Sequence, residues 1–237
     1  MCGILKILFK VKDCDSNHTL EIEFLLKLLQ IAIKAKYISG GICVKNTGFQ
    51  IEHCRSNCPK SARNWRKIYE ALSTNLTVLN LYQTIGDKFS PVLYHHIPKI
   101  CLAGCPNGCS HPNIKDFGIS GYVSPRITDA PCIGCNECVR SCLETAITWN
   151  PSGIVIDHSR CLSCGDCLRA CPTGTLTAGE SGWTLRLGGR VGRHPQFGKS
   201  TGQVQTDEEV LVWVSDTILR YIEKGEPQER LTHFLER

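Results

Sequence analysis

Residues 132–142 read Cys-Ile-Gly-Cys-Asn-Glu-Cys-Val-Arg-Ser-Cys, and residues 161–172 read Cys-Leu-Ser-Cys-Gly-Asp-Cys-Leu-Arg-Ala-Cys-Pro. Both are C-x2-C-x2-C-x3-C, and the second carries a trailing proline. Three thiolates on so short a loop wrap three corners of an iron–sulfur cubane, and the next helical turn carries a fourth cysteine away from that loop. A zinc site instead takes four ligands, usually as two separated pairs, often with His among them. Two quasi-symmetric sets of four cysteines fit two cubanes better.

In two-cluster ferredoxins of this spacing the fourth cysteine of each run ligates the other cluster. The expected ligand sets are therefore Cys132, Cys135, Cys138 and Cys171 for one [4Fe-4S] cluster, and Cys161, Cys164, Cys167 and Cys142 for the other. Between them, residues 146–149 and 154–156 are short apolar strand signals around the turn sequence Asn150-Pro151-Ser152-Gly153. A small hairpin is expected there. Such an insert moves single electrons but names no reaction.

The remaining composition sets the class. The chain has 237 residues, which allows one sizeable core or two small ones. It has 42% hydrophobic and 21% charged residues, a globular balance. Lys and Arg exceed Asp and Glu by 27 to 22, a net charge of +5. That mild excess suits an anionic ligand or an acidic redox partner. It is scattered and lacks interleaved aromatics, so nucleic acid is not expected as a partner. No apolar run reaches the roughly 18–20 residues that span a bilayer, and no signal peptide is expected. Sixteen cysteines without such a signal point to a reducing, cytoplasmic setting and to metal ligation rather than disulfides.

A second cysteine group lies upstream. Residues 104–109 read Gly-Cys-Pro-Asn-Gly-Cys, an apolar run at 97–103 leads in, and Lys115-Asp116-Phe117-Gly118-Ile119-Ser120-Gly121 leads out. Residues 53–59 read His-Cys-Arg-Ser-Asn-Cys-Pro. Two distant pairs of thiolates, Cys54 with Cys58 and Cys105 with Cys109, can hold one further cluster. Cys43 and Cys101 are alternative ligands. They are read, with Cys2 and Cys14, as small buried hydrophobes.

These segments resemble the siroheme sulfite and nitrite reductase family. The likeness runs in order over about residues 40–237. It takes in the Gly-Cys-Pro-Asn-Gly-Cys loop, a ferredoxin insert as in dissimilatory and anaerobic sulfite reductase subunits, the Gly188-Gly189-Arg190 segment and two C-terminal helices. The first cysteine pair is C-x3-C where the family usually has C-x5-C. Val44-Lys45-Asn46-Thr47-Gly48 stands where the family has an Arg-bearing strand. The resemblance implies a third [4Fe-4S] cluster on Cys54, Cys58, Cys105 and Cys109, with Cys109 bridging to siroheme iron and Asn107 beside it. It also implies reduction of a small anion such as sulfite or nitrite, a redox partner protein (a ferredoxin or a reductase subunit), and a homo- or hetero-oligomer. The alternative is a siroheme-free electron-transfer subunit.

Two basic stretches lie near these cysteines. Residues 53–69 hold Arg55, Lys60, Arg63, Arg66 and Lys67, and residues 181–206 hold Arg186, Arg190, Arg193 and Lys199, with no acidic residue in either. Arg forks bind oxyanions bidentately, and Lys supplies a point charge or a proton. Arg55, Lys60, Arg190 and Arg193 are the candidate catalytic groups, and Arg63 and Lys67 the candidate cofactor contacts. A solvated helix face is the other reading of Arg63 and Lys67.

The expected fold is α+β: a truncated sulfite-reductase-like α/β unit carrying a bicluster ferredoxin domain. Residues 1–52 form a partial ferredoxin-like (parachute-type) unit. Residues 53–127 with 179–237 form the reductase-like domain, and residues 128–178 the insert. The expected elements are strands at 4–11, 42–51, 97–103, 118–123 and 183–187, and helices at 21–36, 61–76, 207–224 and 227–235. Residues 188–202 are expected to form a loop.

Overall fold

The computed structural model describes residues 47–237. The expected strand at 4–11, helix at 21–36 and the first half of the strand at 42–51 lie outside these residues, as do Cys2, Cys14 and Cys43.

The frame is a five-stranded mixed sheet. It is built from β1 (Gln50–His53), β2 (Lys99–Ala103), β3 (Phe117–Ile127), β6 (Leu176–Leu187) and β7 (Lys199–Val204), in that spatial order. A separate hairpin pairs β4 (Ile147–Asn150) with β5 (Gly153–Ile156). β1, β2 and β3 run parallel, with His53 opposite Leu102 and Ala103 opposite Ser120. β6 and β7 complete the sheet antiparallel. Parallel neighbours need a crossover. Between β1 and β2 it is made by α1 (Arg66–Val78) and α2 (Leu81–Lys88), separated by Asn80 in the left-handed region.

Alternation along the strands turns Ile100, Leu102, Phe117, Ile119, Trp183 and Leu185 to one face. The helices cover these side chains. Ile68, Leu72 and Leu76 recur every four residues along α1, and Val210, Val214, Ile218 and Tyr221 line α5 (Asp207–Lys224). All belong to one buried cluster. Thr206 and Glu209 form a reciprocal capping box at the start of α5. The chain ends with the short α6 (Leu231–Phe234), where a longer helix over 227–235 is expected from sequence.

Two glycines decide where the first cysteine loop lies. The amides of Ala62 and Arg63 both donate to the Gly104 carbonyl, at 2.8 and 2.9 Å. A Cβ on Gly104 would sit 2.0 Å from Ser61 Oγ, and one on Gly121 would sit 2.7 Å from Arg63 Cβ. The segment after Cys58 therefore rests directly on the sheet, which is why the helix expected from residue 61 begins at Arg66.

β3 and β6 are longer than the expected strands. They stay paired from Phe117–Leu187 out to Ile127–Leu176, with a register shift near Val123 and Pro125. Residues 128–175 hang from the far end of this ladder. They contain α3 (Glu137–Ser141), the β4–β5 hairpin and α4 (Asp166–Ala170). The expected loop at 188–202 instead yields a strand from Lys199. Its side chains are almost all exposed, so it has no apolar pattern to announce it. Pairing with β6 holds it in place. Among the described residues, no helix is long and apolar enough to cross a membrane.

Candidate metal centres

The parallel strands deliver their cysteines at one end of the sheet. β1 ends at His53 and is followed at once by Cys54, while β2 ends at Ala103 and is followed by Gly104 and Cys105. Cys54 stays in the ladder, its amide donating to Leu102 O at 3.0 Å, and the Gly104 amide donates to Cys54 Sγ at 3.2 Å. Asn107 lies in the turn between Cys105 and Cys109, and its side-chain amide is 3.0 Å from Cys109 Sγ. Of the four thiols, Cys109 is exposed and the other three are half-buried. Burial pushes the Cys105 thiol above its ordinary value, and the thiols of Cys58, Cys109 and Cys54 add to the effect.

A cavity of about 580 Å³ opens between this group and the insert. Cys54, Cys58, Cys105 and Cys109 line one side, and Cys142, Cys161, Cys164 and Cys167 line the other. The Cys167 thiol is pushed up to about 12, by burial first and then by its neighbours Cys161, Cys164 and Cys142. Such a thiol keeps its proton at neutral pH unless a metal replaces it. The remaining insert thiols lie apart from the cavity lining. Burial raises the Cys138 thiol, with further contributions from Cys171 and Cys132. Burial also acts upward on Cys171, but the amides of Leu176, Thr173 and Gly174 and the Thr173 hydroxyl bring it down to about 7. Cys142 thus sits with the second loop and Cys171 with the first.

Among the described residues, no three His, Cys, Asp or Glu side chains converge on one point. Zinc needs all its thiolates about 2.3 Å from one point, whereas a cubane needs them spread around a body. Cys101 plays a different part. It is buried in β2, its thiol donates to Ser110 O at 2.9 Å, and burial pushes it up to about 11.

The basic candidates divide. Arg55 and Lys60 line the cavity. Lys60 Nζ also lies 3.6 Å from Asp166 in the insert. Arg63 is held 3.1 Å from Asp207, with its guanidinium over the Trp183 ring. Arg190 pairs with Glu236 and donates to His194 O. Arg193 and Lys67 are exposed and lie off the cavity lining. Two side chains that sequence reasoning passes over, Asp166 and Arg169, also line the cavity. They sit inside the second cysteine run, where the thiols hide any other signal.

Residues 54–237 match the family described as the nitrite and sulphite reductase 4Fe-4S domain. Over 160 residues the chain is 36% identical to the coenzyme F420-dependent sulfite reductase of Methanocaldococcus jannaschii, covering 66% of this chain and 26% of that protein. Over 208 residues it is 30% identical to one of the anaerobic sulfite reductase subunits of Salmonella typhimurium, covering 85% of this chain and 53% of that one. A solved structure of dissimilatory sulfite reductase I aligns with a TM-score of 0.48 at 20% identity, covering 80% of this chain and 50% of that one. The chain spans about a quarter and about half of the two curated relatives. The family match covers most of the sequence and includes all twelve cysteines of the three groups, and the chain belongs to the nitrite and sulphite reductase 4Fe-4S domain family, a family of iron–sulfur proteins.

Proposed function

We propose that the chain is the electron-carrying iron–sulfur part of a sulfite- or nitrite-reducing oxidoreductase, holding three [4Fe-4S] clusters. The first site is Cys132, Cys135, Cys138 and Cys171, the second Cys161, Cys164, Cys167 and Cys142, and the third Cys54, Cys58, Cys105 and Cys109. The observation that carries the reading is the shared cavity, lined by the second and third groups together. Clusters supply single-electron transfer when bound, so the three thiol groups read as a path from the insert to the Cys109 end. Amides directed at sulfur tune such sites. Here the Gly104, Ala146, Ser163 and Leu176 amides lie 3.2–3.5 Å from the sulfurs of Cys54, Cys142, Cys161 and Cys171. A redox partner at the insert and a further chain at the Cys109 end complete this proposal.

Siroheme is a separate matter. An exposed thiol at Cys109 suits an axial ligand, but a macrocycle bearing many carboxylates also needs a basic cradle. Arg63, Arg190 and Lys60 each face a carboxylate of the chain. Of the cavity's own cations only Arg55 is left without a carboxylate partner among the described residues, which supports the electron-transfer reading over catalysis by this chain alone.

The test is an anaerobic absorption spectrum with iron and sulfide quantitation on protein made in a siroheme-competent host. About twelve irons without siroheme bands are expected, at four per cubane. About eight would remove the third cluster from the proposal. Siroheme bands would overturn the siroheme-free reading. Cys109→Ser should lower the iron of the third site and leave the insert's about eight irons in place.

A further inference from the structure

The two cysteine runs of the insert are local copies of one another. Gly134 and Ser163 occupy the left-handed region at matching positions, as do Asn136 and Gly165. Each run continues into a five-residue helix. In each helix an arginine reaches back along its own loop. Arg140 Nη2 donates to Cys135 O at 2.9 Å and pairs with Glu137. Arg169 Nη2 donates to Cys164 O at 3.1 Å and to Asp166 Oδ1 at 2.7 Å.

The copies differ in one respect. Arg169 Nη2 also lies 3.3 Å from the carbonyl oxygen of Lys60, two residues beyond Cys58, and Lys60 Nζ returns to Asp166 at 3.6 Å. One guanidinium nitrogen thus bridges the main chain of the second insert loop and the main chain of the first cysteine loop of the sheet domain. The first run, with Arg140 and Glu137, has no such bridge among the described residues. The local bonds common to both runs account for the shape of each loop. The bridge to Lys60 is what the local repeat leaves unexplained.

The geometry points to Arg169, supported by Asp166 and Lys60, as a positioning residue that sets the separation of the second and third metal centres. This rests on the three-cluster reading above. Electron transfer between metal centres falls steeply with their separation, so a group that fixes the separation sets the rate. The two N–H donors of Arg169 Nη2 are shared among Lys60 O, Cys164 O and the Asp166 carboxylate, and a planar guanidinium holds such a contact more rigidly than a flexible ammonium.

Arg140 supplies the internal control, because Arg140→Gln removes the same local bonds without touching the bridge. The experiment compares anaerobically purified full-length wild type, Arg140→Gln, Arg169→Gln and Arg169→Lys. The readouts are iron content, spin–spin coupling in the electron paramagnetic resonance spectrum of the fully reduced protein, and the rate of reduction of the third cluster after rapid mixing with reduced methyl viologen. Arg140→Gln should match wild type in coupling and rate. Arg169→Gln should keep about twelve irons, show weaker coupling and reduce the third cluster several-fold more slowly. Arg169→Lys should fall between them. Should Arg169→Gln not accumulate, Lys60→Ala removes the supporting ion pair from the sheet side and should still weaken the coupling measurably. The inference is overturned if Arg169→Gln, or Lys60→Ala in its absence, is indistinguishable from Arg140→Gln with twelve irons in place. A wild-type content of about eight irons would overturn the three-cluster reading itself, and the iron assay separates the two failures.

Discussion

Asp116 is a carboxyl group almost wholly withdrawn from water. It accepts a hydrogen bond from the Lys99 amide at 2.8 Å. Burial pushes its pKa from 3.8 up to about 6, against the opposing pull of the Lys99 amide, Lys99 and Lys115. An acid whose folded value is raised favours folding below its ordinary value and loses that contribution as pH climbs to and through the folded value. The loss is on the order of 2–3 kcal/mol, complete above about pH 7. Asp116→Asn keeps an acceptor for the Lys99 amide and removes the charge. Its melting temperature relative to wild type should therefore rise from about pH 4 to about pH 7 in anaerobic melts. A difference independent of pH would count against this account. Neither this burial nor the Arg169 bridge is legible from the residues. In the sequence Lys115-Asp116 only opens the segment that leads out of the cysteine loop. The candidate cluster cysteines, by contrast, stand out in the sequence because cluster chemistry ties their spacing to function.

At the level of elements, legibility follows apolar pattern. The helix over 207–224 is expected with its observed bounds because acidic residues open it and buried positions recur at helical spacing. β3 and β6 are expected at about half their length. Their outer stretches, Pro125-Arg126-Ile127 and Leu176-Thr177-Ala178, lie beyond the register shift and are held by pairing with each other. β7 is the extreme case. Its contribution comes from pairing across the sheet, which no local window contains. The capping box of α5 gives this scale its prediction. Thr206 Oγ1 accepts from the Glu209 amide at 3.2 Å, and Glu209 accepts from the Thr206 amide at 2.8 Å. Thr206→Ala should cost about 1 kcal/mol and lower the melting midpoint by about 2–4 °C. An unchanged midpoint would mean that packing alone fixes this helix start.

For the described molecule as a whole, the insert is continuous in chain with the sheet at the end of an antiparallel ladder whose last pair is Ile127–Leu176. The Thr128 amide donates to Thr175 O just beyond it, at 2.8 Å. Removing residues 129–174 and closing the gap with Asn-Gly would turn the ladder into an ordinary hairpin. We expect the shortened protein to keep its sheet by circular dichroism and to hold about four irons instead of about twelve. Loss of the fold would show that the insert and the sheet are one cooperative unit. Apart from β7, the order of the sheet strands and of the C-terminal helices from residue 97 onward is legible from sequence. How the second insert loop seats against β3, with the Val123 amide on Ser163 O at 2.8 Å, is not. That contact joins residues about forty positions apart.

The parallel run of β1 and β2 has a consequence for how the protein comes to be made. Cys54 and Cys105 are adjacent in space but enclose about fifty residues of chain, including the whole α1–α2 crossover. An inorganic core gripping both would act as a rivet across that span. In the chain-entropy picture, closing a loop of this length is worth on the order of 4 kcal/mol. β1 has four residues, none fully buried, and little of its own to keep it in register. With the proposed third cluster in place, maturation and folding at this end of the sheet would be a single event. A cell short of iron, or a burst of oxygen that strips the metal, would release β1 and offer the crossover to proteases, so metal supply would govern the abundance of the protein as well as its redox state.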